Sequence, residues 1–150
     1  MPNLIIGKVG IDATTKFTRG YIAVAGDPGT VLYKDNDETP PQWKPGITTT
    51  EITAGRNGVA IQLTTTDTAL GHAVIATSGN VLMDVSVDGD WTESDTAVLS
   101  ETAGKIAEES EVTTQNAFKT VLGVKGTPGA TTTDMRTFRF QPIPTAYQVP

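Results

Sequence analysis

The stretch GHAVIATSGNVLMDVSVDGDWTESDTAVLSETAGKIAEES, residues 71–110, decides the fold of this chain. Apolar and polar residues alternate from Val81 to Asp88 with the period of two that a half-buried strand has. The segment from His72 to Thr77 is short, apolar and partly β-branched, and Ser78-Gly79-Asn80 after it is typical of a tight turn. The sequence therefore predicts a hairpin at the centre of the chain.

The residues after this hairpin have two interpretations. We prefer a second turn at Asp88-Gly89-Asp90, a strand from Thr96 to Ser100, a turn through Glu101 to Gly104 and a further strand from Lys105. The alternative is a helix behind an N-cap at Ser94 or Asp95. It is suggested by four apolar residues at helical spacing: Leu99, Ala103, Ile106 and Ala107. Gly104 in the middle of that run weakens the helix.

The N-terminal third alternates in the same way as the centre. Leu4-Ile5-Ile6 is an apolar triplet, and Val9 and Ile11 continue the apolar pattern. This segment is either an edge strand of the domain or an arm that adds to a partner's sheet. Phe17 to Ala25 is a strand candidate that Gly26-Asp27-Pro28-Gly29 ends with a turn. Residues 31–33 are expected to form a short returning strand.

Residues 34–50 contain three prolines and a charge cluster, and they are expected to form an extended loop. Trp43 within it packs over its own core, which we favour, or anchors in a partner's pocket. The acidic run at residues 35–38 does not have the glycine and distal glutamate of a dedicated calcium loop.

The later part of the chain adds strands and a tail. Gly58 to Thr64 alternates cleanly, and Ala117 to Lys125 is a strand candidate that residues 126–129 should end. Phe138 and Phe140 flank Arg139 in a last strand. Residues 141–150 carry three prolines and can only be extended, with Tyr147 as a possible anchor.

The expected architecture is a single all-β domain, a compact β-barrel or β-sandwich-like fold with extended N- and C-terminal arms. A chain of 150 residues can bury roughly 70% of its unfolded surface, enough for a real core. We divide it into an N-terminal arm with strands and a proline-rich loop (1–54), a β core (55–126), and a final strand with an extended tail (127–150).

Composition argues against several classes of function. The chain has no cysteine and one histidine, His72, so we expect no cofactor, no metal site and no enzymatic activity. Carboxylate pairs such as Asp88 and Asp90 lie in a glycine turn, where nothing desolvates them. No apolar run reaches the length of a signal peptide core or a membrane span, so we expect synthesis in the cytoplasm and no membrane partner.

Charge is unevenly distributed along the chain. The net charge is −6, and residues 84–111 carry nine acids against Lys105 alone, whereas both ends are mildly basic. The acidic segment is expected to face solvent and the basic ends to meet an acidic partner. Nucleic acid is not expected as a partner, because no basic cluster with interleaved aromatics is present.

The order of apolar and glycine positions resembles a known group. Gly58-Val59-Ala60, then Ala69 to Val74 and the alternating residues up to 87, is similar to the small β-rich domains of tailed-phage head decoration (capsid cement) proteins. Residues 95–100 followed by Ala103-Gly104-Lys105-Ile106 look like the strand, small turn, glycine, strand unit of that group, and residues 121–124 close the pattern. The resemblance covers about residues 55–126.

The resemblance implies a structural protein on the outer surface of a phage capsid, commonly a homotrimer, that clamps neighbouring major capsid subunits together. The major capsid protein and further copies of this chain would be its partners. The candidate partner-contact residues are Leu4, Ile5, Ile6, Trp43, Phe138, Phe140 and Tyr147.

Two alternatives remain open. Related domains occur in phage tails, necks and fibres, so a tail, neck or fibre-associated virion module is the second hypothesis. A carbohydrate-binding or hydrolytic β domain is the third, and it would need a groove lined by Trp43, Trp91 and Tyr33 with a carboxylate pair.

Overall fold

The computed structural model describes residues 6, 8–22, 25–84, 95–128, 135–143 and 147–150. Within these ranges the chain forms β-strands and one 3₁₀ turn, Glu109–Glu111, and no helix there has the length and apolar character that a membrane span requires. The strands are β1 (Val9–Ile11), β2 (Lys16–Tyr21), β3 (Val31–Asp35), β4 (Gln42–Pro45), β5 (Val59–Gln62), β6 (His72–Asp84), β7 (Thr96–Leu99), β8 (Ile106–Glu108), β9 (Phe118–Lys119), β10 (Val121–Pro128), β11 (Met135–Phe140) and β12 (Tyr147–Gln148).

Ten of these strands make one strongly curled sheet, a half-barrel, which confirms the predicted all-β barrel or sandwich class. The main path runs β4-β3-β5-β6-β11-β10-β7-β8, and β1 and β2 pair with β6 beside it. All pairings are antiparallel. β12 and β9 form a separate two-stranded sheet.

Strand β6 is the element that the two halves of the fold share. Its first half pairs with β2 and β5, and its second half pairs with β1 and β11. One wing of the sheet, β5-β3-β4, therefore starts from the first half, and the other wing, β11-β10-β7-β8, starts from the second. The two wings of the sheet are therefore joined through one long strand, β6.

The predicted hairpin at Ser78-Gly79-Asn80 is wrong, because β6 runs through these residues without reversing. Gly79 has a φ of +91°, and the register against β2 shifts just before it, since Lys16 pairs with Ser78 and Phe17 with Ala76, which leaves Thr77 without an opposite residue in β2. Ala76 and Val81 both face the main core although they are an odd number of residues apart. A glycine bulge explains both facts, since one extra residue reverses which face the following side chains occupy.

The loop between β1 and β2 forms hydrogen bonds with β6 beside this bulge. Asn80 donates from Nδ2 to Asp12 Oδ2 (3.0 Å) and from its backbone N to Thr14 Oγ1 (3.0 Å), and Thr15 Oγ1 donates to the Asn80 carbonyl. Thr14 also donates from Oγ1 to Asp12 Oδ1 at 2.6 Å. These donors from Thr14 and Asn80 lower the pKa of Asp12 below its usual range.

The two wings close on each other by main-chain hydrogen bonds. The Val31 N–H donates to the Gly104 carbonyl (2.9 Å), and the Gly104 N–H donates to the Gly46 carbonyl (2.8 Å). Buried side chains from both wings fill the space between them. They include Val31, Ile61, Val81, Met83, Leu99, Ile106, Leu122, Phe138 and Phe140. At about 25 cal/mol per Å² of apolar surface, this core is the main stabilising contribution.

A smaller core lies on the other face of the first wing. Leu32, Ala60 and Ile75 are buried there, and Trp43 of β4 packs against them. The indole also covers β2, because a Cβ placed on Gly20 would lie 2.8 Å from Trp43 Cδ1. Trp43 therefore packs over its own core, the first of its two predicted roles.

Residues 34–50 are less irregular than predicted, since they contain strand β4. The prolines are compatible with it because β4 is the outermost strand of its wing, where a missing N–H leaves no ladder partner unsatisfied. Pro45 ends the strand.

The strand interpretation of residues 95–109 is confirmed and the helix alternative is not observed. β7 and β8 pair antiparallel around a turn in which Gly104 has a φ of +75°. The strands predicted at residues 31–33 and 138–140 are also confirmed, as parts of β3 and β11. Of the strand predicted at residues 17–25, β2 covers 17–21, and of that predicted at 58–64, β5 covers 59–62. The predicted stop at residues 126–129 is placed too early, since β10 continues to Pro128. The predicted turn at residues 88–90 lies outside the described residues.

Candidate functional site

Phe138 and Phe140 are core residues, so the partner-contact role predicted for them is wrong. Both are 0% exposed, and their ring centroids are 6.3 Å apart. The alternation around Arg139 places both rings on the face of β11 that looks into the half-barrel, and β11 is covered on both edges by β6 and β10. Their function is packing.

The remaining predicted contacts at the N-terminus are only partly described. Ile6 is half-buried against the main core, where its Cγ2 would lie 3.1 Å from a Cβ on Gly29. It therefore contacts its own domain. Leu4 and Ile5 lie outside the described residues, so the arm prediction stays a prediction for them.

The end of the C-terminal tail lies on its own domain and is not a free arm. Tyr147 pairs with Lys119, and Val149 exchanges main-chain hydrogen bonds with Asn116 (2.9 Å) and Ala117 (2.8 Å). The Val149 side chain packs against a third buried cluster that includes Val98 and Val112. The extended conformation predicted for the tail agrees with this β pairing.

Deleting Tyr147 to Pro150 should lower the free energy of unfolding by about 1–2 kcal/mol, because it removes partial burial and a few hydrogen bonds. The half-barrel should survive, since its main core contains no residue of the tail. Chemical denaturation with circular dichroism measures the loss. Complete unfolding of the truncated chain would show that the tail is part of the core.

A partly exposed surface surrounds the docked tail, and we call it the tail patch: Glu109, Glu111, Ile143 and Tyr147. Tyr147 is 48% exposed and Ile143 53% exposed. Tyr147 donates from its hydroxyl to Glu109 Oε1 at 3.0 Å, and Lys119 Nζ lies 5.9 Å from its ring centroid. Partial burial, with a smaller contribution from Glu109, raises the pKa of the Tyr147 phenol. The patch combines two apolar side chains with two acids.

The second exposed surface is on strand β2, and we call it the edge patch: Phe17, Arg19 and Tyr21. All three are exposed, Phe17 at 56% and Tyr21 at 53%. β2 pairs with β6 alone among the described strands. The Ile22 N–H donates to the carbonyl of Gly71, the residue before β6. Main-chain groups point alternately toward and away from the neighbouring strand in an antiparallel pair. The main-chain groups of Phe17, Arg19 and Tyr21 therefore point away from β6.

The sequence analysis did not identify the edge patch. Its signal was present, because aromatic residues flank Arg19 at a spacing of two, the spacing that places them on one face of a strand. That signal alone does not show whether the face is buried. Exposure depends on β2 having one neighbour, which is a property of the topology.

The ion pairs of two lysines change the predicted distribution of charge. Lys125 is 0% exposed and its Nζ lies 2.7 Å from Glu108 Oε1, so it does not contribute to a basic surface at the C-terminal end. Lys44 Nζ lies 2.7 Å from Asp35 Oδ2 and 3.1 Å from Glu38 Oε1. The hydrogen bond from Lys44 lowers the pKa of the Asp35 carboxyl. The hydrogen bonds to Asp35 and Glu38 raise the pKa of the Lys44 ammonium. Two acids of residues 35–38, the segment considered for calcium binding, are thus paired with Lys44.

Two open depressions lie near the tail. One, of about 540 Å³, is lined by residues that include Asp95, Glu108 and Lys119. The other, of about 450 Å³, is lined by Thr48, Glu101 and Asn116 among others. Among the described residues, no group of three His, Asp or Glu side chains is placed to hold a metal ion.

The groove suggested for carbohydrate binding is not assembled from described residues. Trp43 is used in packing, and Trp91 lies outside the described ranges. Comparison with models of protein families, with curated protein sequences and with solved structures finds no match for this chain.

Proposed function

We propose that this protein is a non-enzymatic structural component of a tailed-phage particle, which binds the outer surface of the capsid and holds neighbouring major capsid subunits together. The observation that carries the proposal is the conformation of residues 95–109. They form β7, a glycine turn and β8, the strand, turn, glycine, strand unit on which the second half of the resemblance depends.

The other positions of the pattern also support the proposal. Gly58-Val59-Ala60 leads into β5, residues 72–84 form β6, and residues 121–124 lie in β10. All of them contribute to the half-barrel rather than to loops. A core closed by hydrogen bonds between its wings is rigid, which is what a clamp between subunits requires.

Two exposed patches on this rigid core are suited to contacts with other molecules. The edge patch combines two aromatic side chains with the Arg19 cation, and the tail patch combines apolar side chains with acids and with Lys119, a mixture of apolar and charged groups that is found at protein interfaces. On a repeating lattice, many modest contacts of this kind act together, so each one need not be strong.

The proposal is tested by adding the purified protein to capsids assembled without it. We expect saturable binding to the shell, with hundreds of copies in the complete particle, and greater resistance of the particle to heat. The particle should be imaged to locate the added density. A handful of copies at the tail, neck or fibres would favour the second hypothesis, and a protein that ignores every part of the particle would refute both.

The N-terminal arm offers a narrower test of attachment. Removing Met1 to Gly7 should leave β1 and the half-barrel folded, because the first of the described strands begins at Val9. We expect weaker capsid binding with an unchanged circular dichroism spectrum. Full binding by the truncated chain would exclude the arm as the attachment element.

A further inference from the structure

We propose that strand β2 accepts an extended segment of a different protein chain, which adds to the free edge of β2 as a further β-strand and carries an acidic side chain opposite Arg19. This inference deepens the proposed function by giving the chemistry of one partner contact. It rests on that function only for the source of the segment, a subunit of the shell.

The main chain of the edge patch is the first argument. The N–H and carbonyl groups of Phe17, Arg19 and Tyr21 point away from β6, and β6 is the only described strand that pairs with β2. These groups therefore have no ladder partner within the described part of the chain. An unpaired strand edge is a template for another extended chain, whose own main chain supplies the matching donors and acceptors.

The side chains of the edge patch share one face of β2, because alternate residues of a strand point to the same side. Phe17 is 56% exposed and Tyr21 is 53% exposed on that face. Trp43 lies on the opposite face, where a Cβ placed on Gly20 would be 2.8 Å from its Cδ1, so the indole does not cover the two rings. A strand added at this edge can therefore place its own alternate side chains beside two exposed aromatic residues.

Arg19 selects the occupant of the edge. It is exposed between the two aromatic residues, and it forms no ion pair with another described residue. Opposite charges directly across two paired strands stabilise the pair, and like charges destabilise it.

The same cation disfavours a second copy of β2 as the occupant. In the antiparallel pairing of two β2 strands that uses all the free main-chain groups, Phe17 would face Tyr21 of the second copy and Arg19 would face Arg19. A charge on a strand edge acts against such self-pairing. The occupant that fits the main chain, the rings and the cation together is a strand of a different chain, with an acid opposite Arg19 and an apolar residue two positions away on each side.

Amide hydrogen exchange of the full-length protein, followed by NMR, tests whether the edge is free. The amides of the edge patch should exchange rapidly, whereas those of Thr18, Gly20 and Ile22, which alternate with them and face β6, should exchange slowly. Slow exchange of the edge patch amides in the isolated protein would show that the edge is already covered, and it would overturn the proposal.

A synthetic peptide tests the chemistry of the occupant. The probe is a short peptide, capped at both ends, in which threonine alternates with valine, glutamate and valine in turn. We expect it to bind and to slow exchange of the edge patch amides. A peptide with lysine in place of the glutamate should bind roughly tenfold more weakly or worse. Methylation of the glutamate amide nitrogen, which faces β2, should abolish binding, and methylation of the next threonine amide, which faces away, should not.

Charge reversal in the protein identifies the residue that reads the acid. Arg19→Glu should reverse the preference, so that the lysine peptide binds more tightly than the glutamate peptide. Lys105→Glu makes the same change in net charge at an exposed position of the other wing, and it should leave the preference unchanged. Circular dichroism confirms that both variants are folded. Failure of the glutamate peptide to bind, equal binding of the two peptides, or equal effects of the two methylations would each overturn the proposal.

Capsid binding by the same variants separates this inference from the proposed function. We expect Arg19→Glu to weaken addition to capsids and Lys105→Glu to leave it unchanged. If Arg19→Glu adds to capsids as well as the wild-type protein does, the function stands and β2 is not the attachment edge. If the peptides bind as expected but the protein binds no particle, strand addition at β2 stands and the function fails.

Discussion

Replacing Gly79 with alanine should destabilise the protein by roughly 3 kcal/mol or more. A Cβ at this position would lie 2.2 Å from the Thr14 carbonyl oxygen and 2.9 Å from the Thr15 Cα. Both are main-chain atoms of the loop that clips β6, so no side-chain rotation can relieve the overlap. The φ of +91° adds a conformational cost for any residue with a side chain.

Gly71 provides the matched control, because its φ is +70° and no atom lies within 4 Å of an added Cβ. Gly71→Ala should therefore show only the conformational cost, roughly 1–2 kcal/mol. Urea denaturation of both variants gives the two free energies. Equal losses would mean that the contact with the Thr14 loop is unimportant and that the bulge can be rebuilt without a glycine.

Replacing Phe138 with alanine should lower the free energy of unfolding by about 3–5 kcal/mol, as expected for a fully buried aromatic residue. Its ring packs against Phe140 and the apolar residues of both wings, so truncation leaves a cavity where the half-barrel closes. The neighbouring strands are fixed on both edges of β11 and can collapse into that space only in part.

Phe17→Ala is the control for Phe138→Ala, since both substitutions remove the same side chain. Phe17 is 56% exposed, so its loss should change the free energy of unfolding by no more than about 0.5 kcal/mol. Chemical denaturation of both variants measures the two losses. Similar losses from both substitutions would show that Phe17 is part of the packing of the domain.

The strands that could be predicted from sequence are those whose pattern is set locally. Residues 59–62, 96–99 and 135–140 alternate or are rich in β-branched residues, and nearby glycines mark their limits. Gly79 was misinterpreted because a positive φ serves a bulge as well as a hairpin turn. The difference is made by the loop at residues 12–15, which contacts Asn80 across more than sixty positions of sequence.

The surfaces were harder to predict than the strands, for a physical reason. Alternation shows that Phe138 and Phe140 share a face of their strand, but it cannot show whether that face is inside or outside. Phe17 and Tyr21 have the same spacing and lie on an exposed face. Lys125 is a comparable case, because its charge is buried beside Glu108 of β8, which lies two strands away from β10 in the sheet, and no pattern that the sequence displays brings the two residues together.

The sharing of β6 has a consequence for how the chain can fold during synthesis. Residues 79–84 of this strand cannot pair with β11 until residues 135–140 have left the ribosome. Until then one edge of an apolar strand is unpaired, and such edges are prone to pair with other nascent chains. We therefore infer that β6 completes its pairing only after β11 has been made, and that β1 and β2 protect the opposite edge of β6 in the meantime.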